Sequence, residues 1–199
     1  MRVKCFVSLV YWVRFNKMSK TKQLIAQLYS LVDDMNFGAT LYAIADAGIY
    51  RELIDVLDID NPKHRILFKD TFVQEYENVA PYLISLDRDD AFTEKIITEG
   101  YGKTWLTFVI SRQDMHTLAF DLRERINIYS EKHEKEVIFR FYDPRNLERY
   151  FKMITVEEAQ EFFTDINGIF AYVDSEDENK LNIYASTGKE IKLLKEDIV

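Results

Sequence analysis

Residues 136–150 read EVIFRFYDPRNLERY, and the fold class turns on how this stretch is understood. From Val137 to Tyr142 the residues are β-branched or aromatic on both alternating faces, apart from Arg140, which predicts an interior strand covered on both sides. Asp143 suits a helix N-cap, Pro144 suits the first helical position, and Arg145 to Phe151 continue as a helix. A central strand that enters a helix so abruptly is half of a βαβ unit.

Arg140 is the exception within the strand. It shares a face with Ile138 and Tyr142, while Val137, Phe139 and Phe141 share the other, so a guanidinium is carried into or beside an apolar layer. An isolated buried charge costs several kcal/mol, and Arg140 therefore requires a carboxylate or carbonyl partner.

Outward from this stretch, helical and strand periodicities alternate. Leu24, Ile25, Leu28, Leu31, Val32 and Met35 lie at helical spacing, predicting a helix over 20–35. Strands are predicted at 40–45, 66–68, 82–86 and 105–110. Between them, helices are expected from about Ile49 to Leu57, over 89–98 and from Met115 to Ile126, with Thr71 and Gln74 spaced to cap one short helix, and Ser111 and Asp114 spaced to cap the helix from Met115. Thr155 and Glu158 have the same spacing before Ala159, Phe162 and Phe163. Near the C-terminus, 168–173 and 181–185 predict a hairpin, and 189–194 a last edge strand. The sum is an α/β fold with a mixed, largely parallel central sheet flanked by helices and a C-terminal β-hairpin.

The 199 residues suit one α/β domain over 20–199, with residues 1–19 an N-terminal extension. That extension is open to two readings: a segment preceding a true start at Met18, or an added edge strand or peripheral helix. Its apolar run CFVSLVYWV is shorter than the roughly 20 residues that span a membrane and lacks a small-residue cleavage site. A net charge of −8 argues against nucleic acid as a partner. Cys5 is the single cysteine, so no intrachain disulfide or Cys-based metal cluster can form, which fits a cytoplasmic location.

Several predicted strands end in a polar residue: Asp46, Asp87, Ser111, Asp143 and Asp174. On parallel strands the first four would line one sheet edge, where Asp46, Asp87 and Asp143 could hold a divalent cation in a metal-dependent hydrolase. The plainer reading is that each starts the helix that follows it. No catalytic template supports an enzyme. GYG at 100–102 is neither a phosphate loop nor a dinucleotide fingerprint, His64, His116 and His133 are widely spaced, and no serine sits in a nucleophile elbow. Neither a cofactor nor a metal is expected. The 12 Tyr, 14 Phe and 2 Trp supply either core or an apolar recognition groove.

Taken in series, LYAIADAGIYREL (41–53), VAPYLISLD (79–87), EGYGKTWLTFVIS (99–111), LAFDLRERI (118–126) and VIFRFYDPRNLERYF (137–151) resemble the domain of unknown function encoded beside bacterial type VI secretion effectors. FRFYDPR is the most specific piece, and the likeness spans roughly residues 38–175. It departs at the C-terminus, where many relatives have a longer, more helical lobe. The resemblance implies a non-enzymatic adaptor chaperone whose partners are a secreted effector, held by its N-terminal region, and the spike protein. It marks Asp46, Trp105, Arg140, Tyr142, Asp143, Pro144 and Arg145 as motif positions. Asp143 and Pro144 are implied as cap and first helical residue; Arg140, Tyr142 and Arg145 either brace the sheet or meet the partner.

Overall fold

A computed structural model describes residues 20–35, 38–69, 75–131, 134–186 and 190–198. The N-terminal extension with Cys5, the Thr71–Gln74 capping pair and His133 lie outside the described residues. Helix α1 (20–34) comes first, with Leu24, Leu28 and Tyr29 buried. It is followed by β1 (Thr40–Asp46), α2 (Leu53–Asp60), β2 (His64–Ile66), a 3-10 turn (Glu77–Val79) and β3 (Pro81–Leu86). Next come α3 (Ala91–Gly100), β4 (Leu106–Ser111), α4 (Met115–Ile126), β5 (Asn127–Ser130) and β6 (Lys135–Ile138). Helices α5 (Pro144–Met153) and α6 (Val156–Ile166) lead into β7 (Gly168–Val173), β8 (Lys180–Ser186) and β9 (Ile191–Asp197).

The central sheet has seven strands in the order β2-β3-β1-β4-β7-β8-β9, and every neighbouring pair is antiparallel. This overturns the expectation of a largely parallel sheet. β1 and β2, joined through α2, point the same way, as do β3 and β4, joined through α3. What the periodicity could not show is that another strand inserts within each pair. β3 lies between β1 and β2, and β1 lies between β3 and β4, so same-sense strands never touch. The continuous apolar runs in β1, β3 and β4 reflect burial on both faces, which covers an antiparallel sheet as readily as a parallel one.

The stretch at 137–142 is the second correction. Only Lys135–Ile138 is strand, and it pairs with β5 in a two-stranded ribbon outside the main sheet. Phe139 to Tyr142 then turn inward without a ladder. Phe141 is fully buried, with its ring 5.5 Å from Phe162, 5.5 Å from Tyr150 and 6.1 Å from Phe170. Phe151, Phe163 and Tyr184 extend the cluster, at separations and tilts typical of packed aromatic cores. Part of the aromatic content seen in composition thus packs between α5, α6 and the β7–β8 hairpin. That hairpin forms as expected, and β9 adds the edge strand.

Close approach of two strands fixes one glycine. A Cβ on Gly168 would fall 2.1 Å from the backbone oxygen of Ile110, where β7 meets β4. Backbone cannot swing away as a side chain can, so Gly168→Ala is expected to destabilise the fold by roughly 1–3 kcal/mol. Chemical denaturation would measure it, and a cost below about 0.5 kcal/mol would show that the strands separate freely.

Candidate functional site

Among the residues predicted to end strands, only Asp143 is a helix N-cap. Its Oδ1 accepts from the Arg145 N–H at 2.9 Å, and Pro144 stands in the first turn of α5. Asp87 instead donates its N–H to Thr93 Oγ1, leaving Asp90 to cap α3. Ser111 donates to Ile166 O at 2.6 Å and accepts from the Gln113 N–H, while Asp114 caps α4 alone. Asp174 folds the turn between β7 and β8 by accepting from the Glu176 and Asp177 N–H groups. The Thr155–Glu158 capping box forms at the start of α6.

Antiparallel pairing also separates the carboxylates. Asp46 sits opposite Pro81, at the end of the sheet where β3 and β4 begin. Asp87 follows Leu86, which pairs with Leu41 at the other end, and Ser111 pairs with Thr40 there. The arrangement of Asp46, Asp87, Ser111 and Asp143 along one edge does not occur, and with it goes the carboxylate set proposed for a hydrolase. Among the described residues no three His, Cys, Asp or Glu side chains come together as a metal site would require.

What does converge is a buried polar cluster built around Asp46. Its side chain is 3% exposed, its Oδ1 accepts from the Gly48 N–H at 2.9 Å, and its Oδ2 accepts from Arg140 Nη2. Arg140 therefore has the carboxylate partner its setting demands. The Tyr142 phenol completes the group, placed to bond both Asp46 and Arg140, while its backbone oxygen accepts from Thr107 Oγ1 at 2.7 Å. Beside them Asp143 and Arg145 form a bidentate pair at 3.0 and 2.6 Å. Trp105 joins from below: its carbonyl accepts the Asp46 N–H at 3.0 Å and its ring stacks on Tyr50, with centroids 4.4 Å apart.

Burial dominates the electrostatics here. It pushes the Asp46 carboxyl above the ordinary carboxylate range, against the pull of Arg140 and of the Gly48 N–H. Tyr142 is driven upward first by burial and then by the Asp46 charge, so its phenol stays protonated. Arg140 remains a cation, its loss of water outweighed by Asp46 and its neighbours. An acid held by a guanidinium, a phenol and a backbone amide is a brace.

Above this brace lies a cleft of about 480 Å³ lined by Gly48, Phe68, Tyr76, Val79, Ile138 and Arg140. Phe68 forms its buried part, and Tyr76, Val79 and Ile138 are between 36% and 48% exposed, as is Ile49 close by in sequence to Gly48. Gly48 is small for a reason: a Cβ there would lie 3.0 Å from Asp46 Oδ1 and 3.3 Å from Val79 O. Sequence reasoning singled out Arg140 but missed Phe68, Tyr76 and Val79 as its companions. The one signal was Val79, an apolar residue next to polar ones just before a strand. A model of the family described as "Domain of unknown function (DUF4123)" matches residues 41–161. The chain belongs to this family. The DUF4123 match runs from β1 into α6, and so contains the whole brace and the cleft but stops short of β7–β9. Comparison with curated proteins and with solved structures found no match. No described helix of this DUF4123 domain is long and apolar enough to cross a membrane.

Proposed function

We propose that this domain is a non-catalytic adaptor in the cytoplasm that holds the N-terminal region of a type VI secretion effector and assists its loading onto the secretion spike. The observation that carries the reading is the cleft above the brace. It presents half-exposed Tyr76, Val79 and Ile138 over a buried Phe68, a surface suited to an apolar stretch of another polypeptide. Family membership supports it, because the matched residues contain the motifs on which the likeness to effector adaptors rests. The motif residues bear on the choice left open by sequence: Asp46, Arg140, Tyr142, Asp143 and Arg145 bond mainly to one another, so they brace the wall of the cleft while neighbouring apolar side chains supply the contact.

Co-expression with the product of the neighbouring effector gene tests the proposal. The wild-type chain is expected to capture and stabilise that product. Val79→Asp and Ile138→Asp, both on exposed positions, are expected to melt within a few degrees of wild type yet weaken capture at least tenfold, about 1.4 kcal/mol per site. A wild-type chain that neither binds nor stabilises the effector would remove the adaptor reading. Capture untouched by either substitution would move the contact away from the cleft.

A further inference from the structure

The two ends of the central sheet differ in what they expose. At one end β2 is three residues long, while at the other β9 runs for seven and pairs through its inner side with β8. Among the described residues β9 has no outer neighbour, and a long open edge is a ready template for another strand.

Which backbone groups of β9 face outward follows from its last hydrogen bond. The Ile198 N–H donates to Asn179 O at 2.8 Å. An antiparallel ladder alternates from there, so Glu196, Leu194 and Lys192 aim their backbone groups at β8, and Asp197, Lys195, Leu193 and Ile191 aim theirs outward. The Gln27 side chain agrees with that phase, reaching from α1 to donate to Asp197 O at 2.7 Å, and it takes up that outward acceptor, so the stretch left to pair is Ile191 to Lys195.

Lys192, Leu194 and Glu196 share one face of the strand and are exposed, Leu194 by 47%. Base, apolar, acid at alternate positions is a pattern that complements itself when reversed. Antiparallel pairing of β9 with β9 of a second copy, centred on Leu194, sets leucine against leucine and Lys192 against the partner's Glu196, twice by symmetry. In the same register the outward groups of Leu193 meet those of the partner's Lys195. Leu194 falls at a non-hydrogen-bonded position, where facing side chains come closest, at a Cα separation of ~4.5 Å. Shifting the centre by one residue either sets Lys195 against its own copy or sets Glu190 against the partner's Glu196, like charges in both cases.

The geometry points to a second copy of this chain as the occupant of the β9 edge, giving a two-fold dimer whose two sheets run on as one. This inference stands apart from the adaptor reading, since β9 lies outside the family match and away from the cleft-lining residues. Sedimentation equilibrium of the full chain over a range of concentrations tests it. The wild type is expected to approach twice the chain mass. Lys192→Glu and Glu196→Lys, each alone, are expected to weaken the dimer about tenfold or more by opposing like charges. The double variant Lys192→Glu, Glu196→Lys is expected to restore it, with the melting temperature at infinite dilution unchanged in all three. A wild-type chain that stays monomeric throughout overturns the proposal. A dimer indifferent to the single charge reversals overturns it equally.

Discussion

Arg140→Ala is expected to destabilise the fold by about 3–5 kcal/mol at neutral pH, because it strands a buried carboxylate. Asp46 is 3% exposed and Arg140 is 39% exposed, and that asymmetry makes the two halves of the pair unequal. Asp46→Asn leaves a cation that can turn toward solvent and keeps an oxygen for the Gly48 N–H, so it is expected to cost about 1–2 kcal/mol. The Arg140 deficit should also depend on pH. Burial already holds the Asp46 carboxyl above its ordinary value, and removing the guanidinium raises it further. The folded variant then binds a proton that the unfolded chain has released, so its stability falls as pH rises from about 4, the unfolded value, through the folded one. The gap between variant and wild type is therefore widest at neutral pH and narrows as the solution is acidified toward pH 4. Denaturation at several pH values measures it. A loss of the same size at every pH would mean that Asp46 is not the stranded group, and wild-type melting with lost effector capture would place Arg140 at the interface.

Phe141→Ala is the second large effect, expected at about 3–5 kcal/mol with a fall in melting temperature on the order of 10 °C. Phe141 belongs to no ladder, yet its ring contacts those of Phe139, Tyr142, Tyr150, Phe162 and Phe170. Truncation opens a cavity that rings on three separate elements would have to close together, and rigid aromatic side chains collapse poorly. Phe141→Leu, which keeps part of the volume, is expected to lose less than half as much. Equal losses from Leu and Ala would show that ring geometry matters more than volume at this site.

These two residues also show where sequence was informative. Arg140 announced a need for a countercharge, since a guanidinium on one face with Ile138 and Tyr142 is carried into or beside an apolar layer; which carboxylate met the need depended on a contact across 94 positions. Asp143 and Pro144 were legible because capping is a local interaction. The pattern around Phe141 predicts a strand because aromatic and β-branched residues mark burial more reliably than they mark a ladder, and the segment is buried by rings from helices that follow it. The parallel sheet failed for a related reason. Strand sense can be inferred from a connecting helix, but the identity of the neighbour is set by insertion of a strand distant in sequence. The cleft was least visible of all, since Phe68 and Tyr76 carry no pattern of their own, Val79 carries only a weak one, and all three gain meaning through their positions beside Gly48 and Arg140.

Interleaving of the strands bears on how the chain is made. Among the described residues β1 is the first strand of the sheet to be synthesised, yet its two neighbours arrive about 35 and 60 residues later. Until Leu106–Ser111 has left the ribosome, one side of β1 offers unpaired amides and carbonyls to whatever it meets. Such late closure slows folding and lengthens the interval of vulnerability. Any truncation between Leu86 and Leu106 is therefore expected to yield aggregate in place of a smaller folded unit.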